Sequence, residues 1–220
     1  MTVMVHQMTA DTEAPAGGSL PIGGSPLQRK LATAAIDLFY ARGALATTVR
    51  EITGACGLTP GALYNHFSSK DHLLYVLVRD IHLQVDRQMA ATLADAGPDP
   101  AVQLASTVRF LVAHTALFKK QSRVASREFT VLTGVRGQEI RDIRRQMRDR
   151  LTGILLDGAQ QGTFRLVGGN DRPAAMLCSA TIGNMCVHIS EWTLEHYPLG
   201  IPDLQHRYAQ MALRLAGALD

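Results

Sequence analysis

The sequence predicts an all-α protein, a three-helix head joined to a larger helical body, with about nine helices in all. Three observations carry this. From residue 26 onward, apolar residues recur at three- and four-residue spacing along nearly the whole chain. No run alternates apolar and polar residues as a half-buried strand does. The breaks between periodic stretches fall at Gly, at Pro or at Ser/Thr pairs, the residues that stop and start helices.

Residues 1–25 read as a flexible Gly/Pro-rich tail without the basic-then-apolar order of a signal peptide. The first helix opens at Ser25-Pro26, a cap followed by a proline at the first helical position. Leu27, Leu31, Ala34, Ala35, Leu38 and Phe39 repeat along it, and Gly43 ends it. Thr48-x-x-Glu51 is a capping box for a short second helix that stops at Gly57. Thr59-Pro60 starts a third helix of about two turns, TPGALYNHF, and a fourth follows Ser68-Ser69 and runs towards Gly97-Pro98. Further helices are expected near 100–118, 122–133, 137–161, 172–195 and 203–218. The head is assigned to 26–84 and the body to 85–220.

Apolar residues make up 46% of the chain, enough for a sizeable core. No segment approaches the roughly 20 apolar residues that cross a bilayer, so no membrane partner and a cytoplasmic location are expected. Cys178 and Cys186 lie on one predicted helix, roughly 12 Å apart at the helical rise, which is beyond disulfide reach. With Cys56 they are expected to be buried free thiols. Residues 26–70 carry five basic side chains (Arg29, Lys30, Arg42, Arg50 and Lys70) against Asp37 and Glu51, a balance compatible with nucleic acid.

The third helix is poorly made for burial. Leu63 and Phe67, with Leu58 before them, form one narrow apolar edge. Gly61, Ala62 and Asn65 lie opposite, flanked by Tyr64 and His66, where a purely structural helix would gain from Glu, Lys or Gln. The second and third helices fit a helix-turn-helix, whose second helix enters the DNA major groove. Small residues allow close approach, Asn65 suits an adenine edge and the Ala62 methyl suits a thymine methyl. Thr48, Tyr64 and His66 have the reach of phosphate contacts. Lys70 sits near the start of the fourth helix, against the macrodipole. A DNA phosphate there would reverse that penalty, and an ordinary solvated lysine is the bland alternative.

Residues 27–77 resemble the DNA-binding head of the TetR family of bacterial transcriptional regulators. The resemblance rests on Phe39, Gly43, Thr47, Thr48, Val49, Ile52, Tyr64, His66, Phe67 and Lys70 at the family's spacing. It implies a homodimer on a double-stranded, near-palindromic operator, with Thr47, Thr48, Arg50, Thr59, Pro60, Gly61, Ala62, Tyr64, Asn65, His66 and Lys70 at the DNA. Gly54, where the family more often has a better helix former, is a departure that loosens the second helix by up to ~1 kcal/mol.

The resemblance also implies that the body binds a small effector and dimerises through its last two helices. Candidates for the dimer face include Ala174, Ala175, Leu177, Cys178, Ala180, Thr181, Asn184 and His188, then Leu204, Tyr208, Met211, Ala212, Leu215 and Ala216, with internal core as the rival reading. Candidate pocket residues are Arg109, His114, Phe118, Arg127, Phe129, Leu151, Leu155, Asn184 and Trp192, each also readable as a satisfied structural residue. The run EIRDIRRQMRDR places Arg141, Arg145 and Arg148 along one helix side. They read either as a solvated face or as phosphate contacts for a CoA thioester. Residues 127–164 more loosely resemble TetR-family repressors of lipid and steroid catabolism. Drug-efflux control by a hydrophobic effector is the alternative. His188, Glu191 and Glu195 share a helix face, but one helix does not complete a metal site, so neither metal nor cofactor is expected. No HExxH, GxSxG, P-loop or dinucleotide fingerprint argues for an enzyme. A constitutive architectural DNA binder would leave the large body without a task.

Overall fold

A computed structural model describes residues 24–191 and 199–218. Nine α-helices are present among them, with no strand: α1 (Pro26–Arg42), α2 (Val49–Ala55), α3 (Pro60–Tyr64), α4 (Lys70–Asp95), α5 (Pro100–Leu117), α6 (Lys119–Glu128), α7 (Gly134–Gln160), α8 (Arg172–His188) and α9 (Ile201–Leu215). Single 3₁₀ turns follow α6 and α8 at Phe129–Val131 and Ile189–Glu191. No single helix among the described residues is long and apolar enough to cross a membrane.

Local signals set the head's boundaries. Ser25 caps α1 reciprocally with Gln28, and Thr48 caps α2 reciprocally with Glu51. Gly43 closes α1 at φ +84°, a conformation that a side chain would strain, while its N–H still bonds the Phe39 carbonyl. The expected two turns of α3 shrink to five residues, with Asn65 as the C-cap and His66 and Phe67 beyond it. That segment begins with Pro-Gly and ends at Asn-His, so little intrinsic propensity prolongs it. The predicted 122–133 helix instead starts at Lys119 and passes into a 3₁₀ turn, and α8 ends at His188 rather than near 195.

Two cores result. The head core joins Leu31, Ile36 and Phe39 of α1, Ile52 of α2, Leu63 of α3, Phe67, and Leu73, Leu74 and Leu77 of α4. It continues into Val124 and Ala125 of α6 and Ile140 and Ile143 of α7, so the head is welded to the body. The body core gathers Leu104, Val108 and Val112 of α5, Leu151 and Leu155 of α7, Ile182 and Cys186 of α8 and Leu204, Tyr208 and Ala212 of α9. Helix α4 runs unbroken through the 84/85 boundary and contributes to both cores. All three cysteines are free and buried, and burial pushes the Cys186 thiol up to about 12.

The dimer candidates divide. Ala174, Ala175, Cys178, Leu204, Tyr208, Ala212 and Ala216 are internal core, whereas Leu177, Thr181, Asn184, His188 and Met211 are exposed. A register of small residues cannot separate these faces, because both favour close helix packing.

Candidate nucleic-acid interface and buried cavity

Helix α3 is held by Leu63, fully buried, and by Phe67 just after it. The turn before it is closed by Gly57 at φ +68° and by the Leu58 N–H on the Thr53 carbonyl. Outward stand Thr59, Pro60, Gly61, Tyr64 and Asn65, all exposed, with Ala62 and His66 half-buried. Tyr64 keeps 55% of its surface in solvent, high for an aromatic side chain. The Thr59 hydroxyl makes no capping bond and stays available. The result is a surface of small and hydrogen-bonding groups on a short, firmly anchored helix.

Thr47 and Lys70 have roles not read from the sequence, and Thr48 keeps the capping role read there. Thr47 is 1% exposed and its hydroxyl donates to the Gly43 carbonyl at 2.8 Å, so its side chain fixes the α1–α2 loop and faces no phosphate. Thr48 is exposed, but its hydroxyl belongs to the capping box, 2.8 Å from Glu51 Oε2. Lys70 needs no phosphate to explain its place. Its ammonium donates to the Ala44 carbonyl at 2.6 Å and the Thr47 carbonyl at 2.7 Å, leaving one of three protons unspent. From the other side, the Ala44 N–H donates to Glu128 Oε2 at 3.0 Å, so the same loop is gripped by α4 and by the body.

The remaining head cations are also engaged. Arg29 bonds the Gly24 carbonyl, Lys30 bonds the Cys56 carbonyl at 2.9 Å and Arg42 pairs with Glu51 at 2.8 Å. Among the described residues, Arg50 at the start of α2 is the head cation left without a partner. The family resemblance already names Arg50 for the DNA, and the folded contacts add that its charge is unspent.

The body holds a half-open cavity of about 270 Å³ between α4, α5, α6, α7 and α8. Ile81, Val85, Met89, Leu111, Met147 and Leu151 make its apolar wall. Its polar lining includes His82, His114, Ser122, Arg144, Arg148 and Asn184. Of the residues expected to line a pocket, His114, Leu151 and Asn184 do so. Leu155 is packed one layer deeper in the core. The Arg109 side chain is exposed on the opposite side of α5, where its carbonyl accepts from Gln205. Phe118 stacks on His114 at 5.0 Å without reaching the cavity lining, and Phe129 lies under the Arg144 guanidinium at 4.0 Å. Arg127 is exposed and, with Arg123, binds Glu191. That pairing also gives Glu191 a structural role in place of a metal one. Trp192 and Glu195 lie outside the described residues.

The arginine stripe divides as well. Arg141 bonds Gln138 and Arg145 pairs with Asp142, both on the exposed side of α7. Arg148 does line the cavity while remaining exposed, and Arg144, one turn earlier, joins it there. Spacing along the helix gave no sign of this, because the choice of face depends on where α4 and α8 pack. His82 Nδ1 lies 2.8 Å from the Val78 carbonyl and therefore carries the proton, so Nε2 accepts from Arg144 at 3.0 Å. Burial, aided by the Arg144 charge, pushes His82 down to about 4, and burial alone does the same to His114.

A helix-turn-helix with an exposed second helix, carried on a helical body with a half-open cavity, defines a DNA-binding regulator of transcription. The chain belongs to the TetR family. The profile of bacterial regulatory proteins of the tetR family matches residues 31–76, and that of the tetracyclin repressor-like C-terminal domain matches 97–216. Among relatives, it is 29% identical over 151 residues to the HTH-type transcriptional repressor KstR2 of Rhodococcus jostii, covering 65% of this chain and 70% of that protein. Among solved structures, a tetR-family regulatory protein from Rhodococcus RHA1 superposes with a TM-score of 0.78 at 28% identity, covering 90% of this chain and all of that one. AibR in complex with isovaleryl coenzyme A and operator DNA shares the fold, with a TM-score of 0.75 at 22% identity over 88% of this chain and 100% of that chain.

Proposed function

We propose that the protein is an effector-responsive repressor that binds a near-palindromic operator as a homodimer and responds to a CoA thioester with a small acyl group. The observation that carries the effector class is the cavity, with its apolar wall and the unpaired Arg148 at its exposed side. At about 270 Å³ the cavity is small beside the ~300–1,000 Å³ of typical small-molecule sites, which suits a short acyl chain better than a whole coenzyme A. The nucleotide would lie outside, with Arg148 available for its phosphates. The relatedness to KstR2, a repressor, and the fold shared with AibR, solved with isovaleryl coenzyme A and operator DNA, support the same reading. Control of lipid or other hydrophobic-compound catabolism follows from that effector class.

Dimerisation is supported by a run of exposed apolar side chains, Met176, Leu177 and Val187 on α8 and Met211 on α9. A two-fold pair of heads then reads two half-sites. In this reading Asn65, Tyr64 and Thr59, all exposed, meet the bases and backbone, and the exposed Arg50 meets a phosphate.

The test is fluorescence anisotropy with DNA from upstream of the protein's own gene, titrated with salt and with hexanoyl-CoA. Specific binding is expected, and hexanoyl-CoA should shift its affinity roughly fivefold or more. Arg50→Ala should lower the salt slope by about one phosphate contact without changing sequence preference. Absence of specific binding sinks the regulator of this DNA, and indifference to every acyl-CoA sinks the effector class.

A further inference from the structure

The cavity wall holds two polar atoms that the protein itself leaves unsatisfied: Nε2 of His114 and Oγ of Ser122. His114 is only 8% exposed. A buried polar group without a partner costs roughly 1–3 kcal/mol, and such atoms in native proteins usually have a designated partner. Several other polar groups of the lining do have theirs. His82 is held by Val78 and Arg144, Ser126 donates to the Arg123 carbonyl, and Ser179 bonds both Thr152 and the Met176 carbonyl. A third unsatisfied atom, Thr107 Oγ1, belongs to a residue off the cavity wall.

His114 and Ser122 come from consecutive helices, α5 and α6, on either side of the break at Phe118. The imidazole is wedged between Phe110 at 5.8 Å and Phe118 at 5.0 Å, which fixes where its edge points. Burial keeps it neutral at ordinary pH, so it offers one donor and one acceptor and no charge. The Ser122 hydroxyl, on the wall of the same cavity, can likewise donate or accept. Neither carries a charge to neutralise an anion, for which Arg148 is the better-matched partner, and both suit a neutral oxygen.

We infer that His114 and Ser122 form a specificity pair for a hydroxyl or ketone oxygen carried on the acyl part of the effector. The effector is then an oxygenated acyl thioester, not a plain hydrocarbon one. This rests on the acyl-CoA reading above and narrows it. A site built to hydrogen-bond a ligand oxygen discriminates strongly against the analogue that lacks it, because its own buried groups are then left unpaired.

The experiment is calorimetric titration of the full-length protein with hexanoyl-CoA and with its 3-, 4-, 5- and 6-hydroxy analogues. At least one hydroxylated probe is expected to bind about tenfold tighter than hexanoyl-CoA. His114→Leu should shrink that ratio towards one, and Ser122→Ala, a small change at a half-buried position, should reduce it even if the leucine variant does not fold. If hexanoyl-CoA binds and no hydroxylated probe binds tighter, the specificity pair is wrong while the acyl-CoA reading stands. A preference left unchanged in Ser122→Ala and in folded His114→Leu also overturns it. If no probe binds, the acyl-CoA reading falls and this inference falls with it.

Discussion

The head and the body solve opposite problems with the same helices. In the head, polar groups near the reading helix are spent internally: Lys70 and Glu128 grip the Ala44–Thr47 loop, Thr47 caps Gly43 and Glu51 serves both Thr48 and Arg42. What remains free there, Arg50 and the outward side of α3, faces outward. In the body, the free polar groups face inward, with His114 and Ser122 unsatisfied on the wall of a cavity. A surface that reads DNA must be rigid before DNA arrives. A cavity that senses a ligand keeps hydrogen bonds in reserve so that occupancy changes its energy.

Four measurements would break or sharpen that contrast, from the largest expected effect to the smallest. Phe67→Ala should destabilise the protein by about 3–5 kcal/mol and abolish specific DNA binding, because Phe67 and Leu63 are the buried anchors of the apolar edge of α3. Urea unfolding reads the first effect and anisotropy the second. A loss of DNA binding without loss of stability would mean the reading helix is not held as described.

The second concerns pH. His82 and His114 titrate near 4 when folded and near 6.5 when unfolded. Between those values the unfolded chain binds more protons, so stability is full above about pH 6.5, falls as pH drops towards 4 and is flat below for these groups. Each contributes on the order of 3 kcal/mol to that fall. Denaturant midpoints at pH 7 and pH 4.5 should differ accordingly, and His114→Leu should remove its share. A slope unchanged in that variant would show His114 to be solvated.

Third, Lys70→Met should cost about 1–3 kcal/mol by removing two charge-assisted bonds to the Ala44 and Thr47 carbonyls. Stability and DNA affinity should fall together, with the salt slope changing by less than it does for Arg50→Ala. A pure loss of salt slope with unchanged stability would restore Lys70 to the phosphate backbone. Fourth, Gly54→Ala should raise stability by up to ~1 kcal/mol. Gly54 is exposed within α2 and a methyl group there meets nothing within 4 Å. A decrease, seen as a lower melting temperature, would contradict that open space.

The helix-turn-helix was legible because its determinants are close in sequence. Caps, a turn glycine and the Leu63/Phe67 spacing all act within a few residues of one another. The roles of Thr47 and Lys70 were not, since a partner 23 residues away, Thr47 for Lys70, leaves no trace in local pattern. The cavity was legible only in part for the same reason. His114, Leu151, Asn184 and Arg148 stand out as polar or apolar residues on predicted helices. Their neighbours Phe118, Phe129 and Leu155 satisfy the same pattern and point elsewhere.

The sequence by itself determined the all-α class, the capped starts of α1 and α2 and the buried edge of the helix-turn-helix, because capping, glycine turns and helical periodicity are short-range physics. Only the tertiary structure decided which charges are spent, which arginines of α7 meet the cavity and which polar atoms its wall leaves unpaired. Those outcomes depend on where five helices separated by up to about a hundred residues come to rest against one another, and close packing makes each of them a matter of a single turn of helix.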